Sequence, residues 1–383
     1  MESGKAVEKE EVSFSKGLDG VVAAETSLSL VDGAAGRLFY EGIEITELAR
    51  YSTFEEICCL LLYGRLPKAQ ELKQLTEELT AQRPLAKEIQ ELLERFPRDV
   101  SPMAVLRTAV SALALYDPDP DNLSREAIIA KGIHLIAKIP TIVAAFDRLR
   151  NAKKPVPPRK DLNLATNFLY MLTENEPRPE YGKALDAYLV LLADHGLNAS
   201  TFAARVTIAT LSDFYSAATS AIGALKGDLH GSANRRAMEM FLEIGEIGKV
   251  EPYVKNLLLN HKKVMGFGHR IYKTEDPRAT IFRGVAKDLC SGTAHEKWYQ
   301  ISERIAAIVM REKKIYCNVD FYSASVLYAV GIPVDLFTTV FAMSRIVGWT
   351  AHIAEQLADN RLIRPQAQYV GPKNQPYVLL AQR

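Results

Sequence analysis

The hydrophobic and polar positions of this chain follow a helical period over most of its length. Several segments after residue 161 are apolar on more than one face, which is typical of helices in the middle of a large all-α domain. Strand-like alternation is confined to residues 19–45, which predicts a small sheet near the start. Helices are predicted at about 53–62, 68–96, 102–116, 123–150, 161–174, 178–193, 197–212, 214–226, 233–245, 250–260, 277–289, 296–312, 319–330 and 334–358.

The most apolar long segment, Val326–Met343, contains Gly331, Pro333 and Asp335. These interruptions predict two buried helices rather than a membrane span. The first residues, Met1–Val12, are acidic and lack the apolar core of a secretory signal, so we expect a frayed terminus and a cytoplasmic protein.

The amino-acid composition limits the kinds of partner that this protein is expected to bind. The 383 residues allow one large domain or two unequal ones, and either can bury a sizeable core. Because 47 lysines and arginines face 46 aspartates and glutamates, a nucleic-acid surface is not expected, and any bound anion should be small. The four cysteines show no metal-type spacing with histidine, which predicts a reducing compartment and no structural metal.

The segment Val264–Arg278 combines two glycines with a histidine, His269, and with the cations Lys273 and Arg278. Glycine allows the backbone to approach a ligand closely, so this loop is suited to hold an anion beside an imidazole. Asp276 then provides the N-cap of a following helix. An ordinary loop before a capped helix is the alternative that this segment leaves open.

Three further segments place a histidine or an aspartate at a helix start beside small residues: Ala193–Ser200 with His195, Lys226–Asn234 with His230, and Tyr316–Ser323 with Asp320. Each histidine alone is more simply a hydrogen-bonded core or cap residue. Because three of the seven histidines in the chain fall at glycine-marked breaks, we expect a shared site.

Two of these residues suggest roles in proton transfer. His230 precedes Ser232, a predicted N-cap, and the adjacent helix dipole would keep the imidazole neutral and able to donate to an enolate. Asp320 follows Asn318, a second predicted N-cap, so it would lie in a first helical turn where the dipole keeps a carboxylate ionised. Asp320 is therefore a candidate general base, with ordinary first-turn charge as the alternative.

Late arginines suggest carboxylate recognition. Arg345 lies inside an apolar helix, where a guanidinium needs a partner or a ligand. With Arg278 and Arg364 it could hold a di- or tricarboxylic acid, whose carboxylates suit a planar fork. The alternative is that these arginines form structural ion pairs. For Arg361, which lies close to Arg364 in the sequence, we favour this alternative. No phosphate-binding glycine loop, serine elbow or metal-binding helix motif occurs, which weakens dehydrogenase, hydrolase and metalloenzyme readings.

The loop that ends at Arg278 closely resembles the signature of the citrate synthase family. Leu229–Asn234, Asn318–Ser323 and Arg361–Pro365 match the other landmarks of that family in order, and the likeness runs from about residue 17 to the C-terminus. The resemblance implies a mainly α, two-domain helical fold with a small N-terminal β element. It implies a large domain of residues 1–231 and 325–383, and a small domain of residues 232–324 that closes over oxaloacetate.

The resemblance also implies a reaction, in which acetyl-CoA, oxaloacetate and water give citrate and CoA without a metal or other cofactor. Asp320 would remove the methyl proton, His230 would donate to the thioester oxygen, and His269 would polarise the oxaloacetate carbonyl. The expected oxaloacetate or citrate ligands are His195, His269, Arg278, Arg345 and Arg364, the last contributed by the partner of a homodimer. The expected CoA contacts are Lys262, Lys263, Val264, Met265, Gly266, Phe267, Gly268, Lys273 and Asn318.

Three positions depart from the family pattern: Ser232, Ala324 and Cys317. Ser232 replaces a glycine, so the loop carrying His230 would be strained if that position needed a positive φ. The alternative activity is that of a 2-methylcitrate synthase, which uses propionyl-CoA. A catalytically inert binding or assembly protein is a second alternative, against which the presence of His230, His269 and Asp320 argues. Neither nucleic acid nor a membrane is an expected partner.

Overall fold

The computed structural model of this protein describes residues 14–383, so the expected frayed terminus Met1–Val12 lies outside the described residues. The described chain is mainly α-helical, which confirms the predicted fold class. The α-helices are α1 Ile45–Tyr51, α2 Phe54–Tyr63, α3 Ala69–Gln82, α4 Lys87–Arg95, α5 Pro102–Leu113, α6 Arg125–Arg150, α7 Leu164–Thr173, α8 Pro179–Leu192, α9 Ala199–Ile208, α10 Phe214–Leu225, α11 Ala233–Ile244, α12 Val250–Leu259, α13 Pro277–Cys290, α14 Glu296–Lys313, α15 Val319–Ala329 and α16 Phe337–Ala358. Short 3-10 helices cover Lys16–Leu18, Ala114–Tyr116, Ile247–Lys249, Val334–Leu336 and Leu380–Gln382.

The predicted sheet near the start is present. Its antiparallel strands are β1 Ser29–Asp32, β2 Arg37–Tyr40 and β3 Ile43–Glu44, in the order β1-β2-β3. Tyr40 of β2 is fully buried, and its hydroxyl donates to the Asp194 carbonyl at 2.9 Å. The sheet is therefore tied to the end of α8. The predicted strand region was too long at its end, because Ile45 begins α1.

Local capping signals confirm several predicted helix starts. Thr53 and Glu56 form the two hydrogen bonds of a capping box before α2. Asp276 caps α13 and Asn318 caps α15, in each case by accepting a backbone N–H from the first turn. The helical pattern over 68–96 is two helices, α3 and α4, since Pro84 lacks an N–H for a continuous helix.

Two long buried helices, α6 and α16, pack against each other in the core. The α6 glycine Gly132 allows close approach, because a Cβ there would lie 2.2 Å from Thr350 Cγ2. By length and composition α6 could cross a membrane, yet 78% of its most apolar window is buried inside the fold, as in a core helix. The segment Val326–Met343 divides between α15 and α16, as its interruptions predict.

The elements that carry the candidate residues converge. Helix α13 packs against α15, both contact α8, and α8 in turn contacts α16. His195 follows α8, Arg278 and Asp320 open α13 and α15, and Arg345 lies in α16. The proposed division into residues 1–231 with 325–383 and residues 232–324 stays a prediction.

Candidate active site

Two of the predicted histidines meet beside a tyrosine. The ring centroids of His195 and His269 are 5.2 Å apart, and Tyr272 places its hydroxyl 3.3 Å from His195 Nε2. The Nδ1 atom of His269 accepts the backbone N–H groups of Ile271 at 3.1 Å and Tyr272 at 3.0 Å. Because a backbone N–H can only donate, the proton of a neutral His269 lies on Nε2 and is available to a ligand.

All three candidate histidines are held neutral. Burial lowers the pKa of His269 to about 4, with a further decrease from Arg278. Burial lowers the pKa of His230 to about 4 as well, and Arg345 adds to the effect. For His195, burial and then Arg278 lower the pKa well below its usual value. A neutral imidazole can both donate and accept a hydrogen bond.

The Arg278 guanidinium is already paired. It is 2% exposed and forms a bidentate contact with Asp276, with Nε 3.0 Å from Oδ1 and one terminal nitrogen 2.9 Å from Oδ2. Burial alone would lower the pKa of Arg278, but Asp276 raises it above its usual value. One edge of the fork is thus used internally, and only the remaining N–H groups can reach a substrate.

Arg345 has the opposite arrangement. It is 1% exposed, its Nε donates to the Leu192 carbonyl at 2.7 Å, and the guanidinium carbon lies 4.9 Å from the centre of the Phe341 ring. Within residues 14–383 no carboxylate lies within 4 Å of it, and its terminal nitrogens form no hydrogen bond. Arg345 is thus buried as predicted, and among the described residues the guanidinium has no carboxylate partner.

His230 is paired with a serine that sequence reasoning did not identify. Its Nε2 lies 2.8 Å from Ser200 Oγ and accepts the Ser200 backbone N–H at 3.3 Å. Ser200 Oγ also accepts the indole N–H of Trp349 at 3.1 Å. The Ser200 N–H is shared between this nitrogen and Asn198 Oδ1, which lies 3.1 Å away. An N–H directed at Nε2 favours the neutral tautomer of His230 that carries its proton on Nδ1, where it can be donated to a ligand.

Asp320 has the environment of a general base but not for the predicted reason. Burial raises its pKa to about 7, although Arg278 and Arg345 act in the opposite direction. The prediction considered only the helix dipole, whereas desolvation of the carboxylate is the largest effect on this pKa. Asp320 forms no side-chain hydrogen bond to the described residues, so its oxygens are free to accept a proton.

The predicted cap at Ser232 is also corrected. Ser232 is the residue before α11, but its hydroxyl donates to the Lys226 carbonyl at 3.3 Å and caps no helix N–H. Burial and Arg345, rather than a capped dipole, keep His230 neutral. The φ angle of Ser232 is −90°, so replacing glycine introduces no backbone strain there.

The glycines of the signature loop connect it to the segment that carries Asp320. Gly266 accepts the Asn318 N–H at 2.9 Å, and Gly268 donates to the Tyr316 carbonyl at 2.9 Å. Both glycines have φ near +80°, and a Cβ on Gly266 would lie 2.8 Å from the Phe321 Cβ. The Asn318 amide also donates to the Gly268 carbonyl at 3.0 Å. The loop and the base thus form one unit.

Comparisons with known proteins agree with this site. Residues 17–366 match the family model described as "Citrate synthase, C-terminal domain". "Citrate synthase 2" of Bacillus subtilis is 49% identical over 97% of this chain and 100% of its own length, and the Deinococcus radiodurans citrate synthase is 46% identical over 97% and 99%. The chain belongs to the citrate synthase family.

A solved citrate synthase shares the whole fold. The Thermoplasma acidophilum enzyme is 35% identical and superimposes with a TM-score of 0.92 over 97% of this chain and 100% of its own. That structure is a ternary complex with carboxymethyl coenzyme A and oxaloacetate. The family's enzymes are acyltransferases, so the enzyme class expected from the sequence is confirmed.

The remaining residues predicted for CoA and for a partner subunit differ in their exposure. Val264 is buried, and Met265 and Phe267 are half-buried. The side chains exposed to solvent are Lys262, Lys263, Lys273 and Arg364. Their assignments to CoA and to a partner subunit stay predictions. Arg361 forms no ion pair with residues 14–383, so the structural pairing favoured for it is not present there.

Sequence reasoning missed the residues that orient the site. Asp276 was identified only as a cap, although it also binds Arg278 and accepts the Val319 N–H of α15 at 3.2 Å. Ser200 and Tyr272 gave no signal, because their partners are 30 and 77 residues away in the chain. The cavity of about 440 Å³ between α3, α5 and α6, next to His134, shares no residue with the cluster.

Proposed function

We propose that this protein is a citrate synthase that condenses acetyl-CoA with oxaloacetate and water, giving citrate and free CoA. One observation carries this function. The carboxylate of Asp320, which has no hydrogen-bond partner among the described residues, shares one site with three neutral histidines and two buried arginines. The named relatives support the same activity, and the Thermoplasma acidophilum citrate synthase was solved with oxaloacetate and a CoA derivative.

The first step is enolisation of the acetyl group. Ionised Asp320 accepts a proton from the methyl carbon, while His230 donates from Nδ1 to the thioester oxygen. The geometry supports this direction of donation, because His230 Nε2 accepts the Ser200 N–H, which is shared with Asn198 Oδ1. Such a transfer is most efficient when the pKa values of the acid and of the base lie near the working pH.

The second step is attack of the enol on the oxaloacetate carbonyl. His269 donates from Nε2 to that carbonyl oxygen and stabilises the charge that develops there. Arg345, with two free terminal nitrogens, binds one carboxylate in a fork, and His195 and Arg278 hold the substrate from the other side. The resulting citryl thioester is cleaved by water to citrate and CoA.

Further parts of the assignment concern the surroundings of the site. Lys262, Lys263 and Lys273 are exposed ammonium groups near the signature loop and suit CoA phosphates. Asn318 and the loop backbone at 264–268 would contact the rest of CoA. The proposed enzyme is a cytoplasmic homodimer in which Arg364 reaches the partner's site, and its chemistry uses no metal.

The test is release of free thiol from acetyl-CoA. Release should depend on oxaloacetate in the unmutated protein and be lost in Asp320→Asn, which keeps the shape of the side chain but cannot accept the proton. The same assay with propionyl-CoA separates the two acyl donors. A higher kcat/KM for propionyl-CoA would assign the protein to 2-methylcitrate synthesis, and no release with either donor would support an inert binding protein.

A further inference from the structure

A buried carboxylate that the proposed reaction does not use lies next to His195. Asp194 is fully buried, and its Oδ2 accepts hydrogen bonds from the Gly196 N–H at 3.0 Å and from the Ser29 hydroxyl. The Tyr40 hydroxyl donates to the Asp194 carbonyl at 2.9 Å. The backbone on both sides of His195 is therefore held by groups from strands β1 and β2.

The charge of Asp194 is met by a histidine of α16. His352 Nε2 lies 3.3 Å from the Asp194 carboxylate, and Arg205 donates to His352 Nδ1 at 3.1 Å. Because a guanidinium can only donate, Nδ1 accepts, and Nε2 carries the proton that is donated to Asp194. Arg205 is held in turn by Gln356 at 3.0 Å and Glu355 at 2.6 Å. The contact with Arg205 thus fixes the tautomer and the orientation of the His352 ring.

Helix α16 is shaped to accept this carboxylate. A Cβ on Gly348 would lie 2.4 Å from the Ala193 carbonyl oxygen and 2.7 Å from Asp194 Oδ1, so the contact requires glycine. Arg345, Gly348 and His352 are spaced by three and four residues and therefore share one face of the helix. Asp194 packs against that face at Gly348, between the side chains of Arg345 and His352.

This placement explains how Arg345 can be buried without a direct ion pair. Burial lowers the pKa of Arg345, and Asp194 is the strongest of the charges that oppose this effect. Asp194 does so from outside hydrogen-bonding distance of the guanidinium, so the terminal nitrogens stay free. Arg278 differs, because Asp276 occupies one edge of its fork.

We propose that Asp194, His352 and Arg205 are positioning residues for the oxaloacetate end of the site. Asp194 balances the charge of Arg345 without occupying it and fixes the backbone that carries His195, while His352 and Arg205 hold the carboxylate in place. This inference rests on the proposed function, since it takes His195 and Arg345 to be oxaloacetate ligands.

The network is tested by three substitutions that change the charge or the hydrogen bonds but little volume. Asp194→Asn and His352→Leu should each raise the KM for oxaloacetate about tenfold or more, with kcat changed less than about threefold, because the lost interaction acts equally on bound substrate and transition state. His352→Gln should retain a KM near that of the unmutated protein, since its amide can donate to Asp194 and accept from Arg205.

Thr350→Val is the matched control. Thr350 is buried in the same helix, and its hydroxyl bonds only to the Ile346 carbonyl, so a general loosening of α16 would appear in this variant too. Its KM for oxaloacetate should stay within about twofold of the unmutated value. The KM for acetyl-CoA, measured at saturating oxaloacetate, should be unchanged in all four variants.

Calorimetric titration with oxaloacetate separates this proposal from the reaction itself. Binding weakened about tenfold in Asp194→Asn and His352→Leu, but not in His352→Gln or Thr350→Val, would support the network even if thiol release were absent. Equal binding in all variants would overturn it, even if thiol release established the reaction. If Asp194→Asn fails to fold, the comparison of His352→Leu with His352→Gln decides, and equal values for these two also overturn the proposal.

Discussion

Asp320 has to satisfy two opposing requirements. Its carboxylate must be ionised to accept a proton, yet Asp320 is half-buried, and desolvation raises its pKa to about 7. Arg278 and Arg345 limit this increase, so the same cations that suit oxaloacetate carboxylates also keep the base ionisable. A base with a pKa near the working pH combines a large ionised fraction with a strong affinity for the proton.

The pH profile should show this base directly. Because only ionised Asp320 accepts the proton, kcat/KM should fall about tenfold for each pH unit below about 7. Burial lowers the pKa of His230 and of His269 to about 4 and that of His195 well below its usual value, so all three should stay neutral over the same range. Initial rates of thiol release between about pH 5 and pH 9 measure the profile. A flat profile down to about pH 5 would contradict a general base whose pKa is raised to about 7.

Asp320→Asn should also change stability, in the direction opposite to activity. The pKa of Asp320 is raised in the folded state, so its contribution to stability is full below the unfolded pKa of about 4 and is lost as pH rises through about 7. Asparagine carries no charge, so the variant should melt a few degrees above the unmutated protein at about pH 8. Near pH 4 the difference should largely vanish. A lower Tm for the variant at about pH 8 would contradict a raised pKa of Asp320 in the folded state.

The sequence could predict the role of a single residue only where that role follows from neighbouring residues in the chain. Arg345 was identifiable because a guanidinium within an apolar helix needs a ligand wherever the helix packs. The causes of the neutral His230 were not identifiable, since burial depends on the whole fold and Arg345, the second cause, lies 115 positions away in the chain. Ser200 and Asp194 belong to the same class of long-range partners.

Helices and loops hold the reacting groups through contacts between their ends. Asp276 accepts N–H groups from the first turns of both α13 and α15, so one carboxylate fixes the helix starts that carry Arg278 and Asp320. The signature loop is joined to the same place through Gly266 and Asn318. The loop that we propose to contact CoA is in this way connected to Asp320, the proposed base.

Gly266 tests this connection against backbone strain alone. In Gly266→Ala the new Cβ would lie 2.8–2.9 Å from Phe321 atoms in the first turns of α15, and φ is +79°. Gly268→Ala is the matched control, because its φ is +80° but the nearest atom is 3.7 Å away. The control should cost about 1 kcal/mol of stability, and Gly266→Ala at least about 1 kcal/mol more.

Urea unfolding and kcat measured on both variants distinguish the two effects. A tenfold or larger loss of kcat restricted to Gly266→Ala is expected, since a displaced α15 moves Asp320, and even small misplacements of a base are costly. Equal losses in both variants would show that loop strain alone, rather than contact with α15, controls the site.

Most helices were predictable because their capping and period are local, as at Thr53, Asp276 and Asn318. The exceptions have physical reasons. The pattern over 68–96 continued across Pro84, where the chain bends, and the short α1 follows β3 without a loop that could mark the change. Ser232 had a capping residue type, but its hydroxyl found a carbonyl of the preceding turn.

At the scale of the whole molecule, the order of the motifs identified the family. The contacts between two subunits could not be predicted, because the sequence pattern describes the packing within one chain. Of the residues predicted for catalysis and for oxaloacetate, Arg364 alone is not joined to the others by a contact among residues 14–383. Arg364 is exposed on the segment after α16 and contacts no member of the cluster within residues 14–383. The proposal that it completes the site of a second subunit therefore makes a prediction about mixed dimers.

Asp320→Asn and Arg364→Ala should each inactivate a homodimer, by loss of the base and of one carboxylate ligand. If Arg364 acts across the interface, a mixed dimer of the two variants has one site with both defects and one site with neither. Coexpression with two affinity tags and purification through both should then recover about half of the activity of the unmutated dimer per dimer. If Arg364 acts within its own chain, both sites of the mixed dimer keep a defect. Activity would then stay at the level of the separate variants, and the shared site would be wrong.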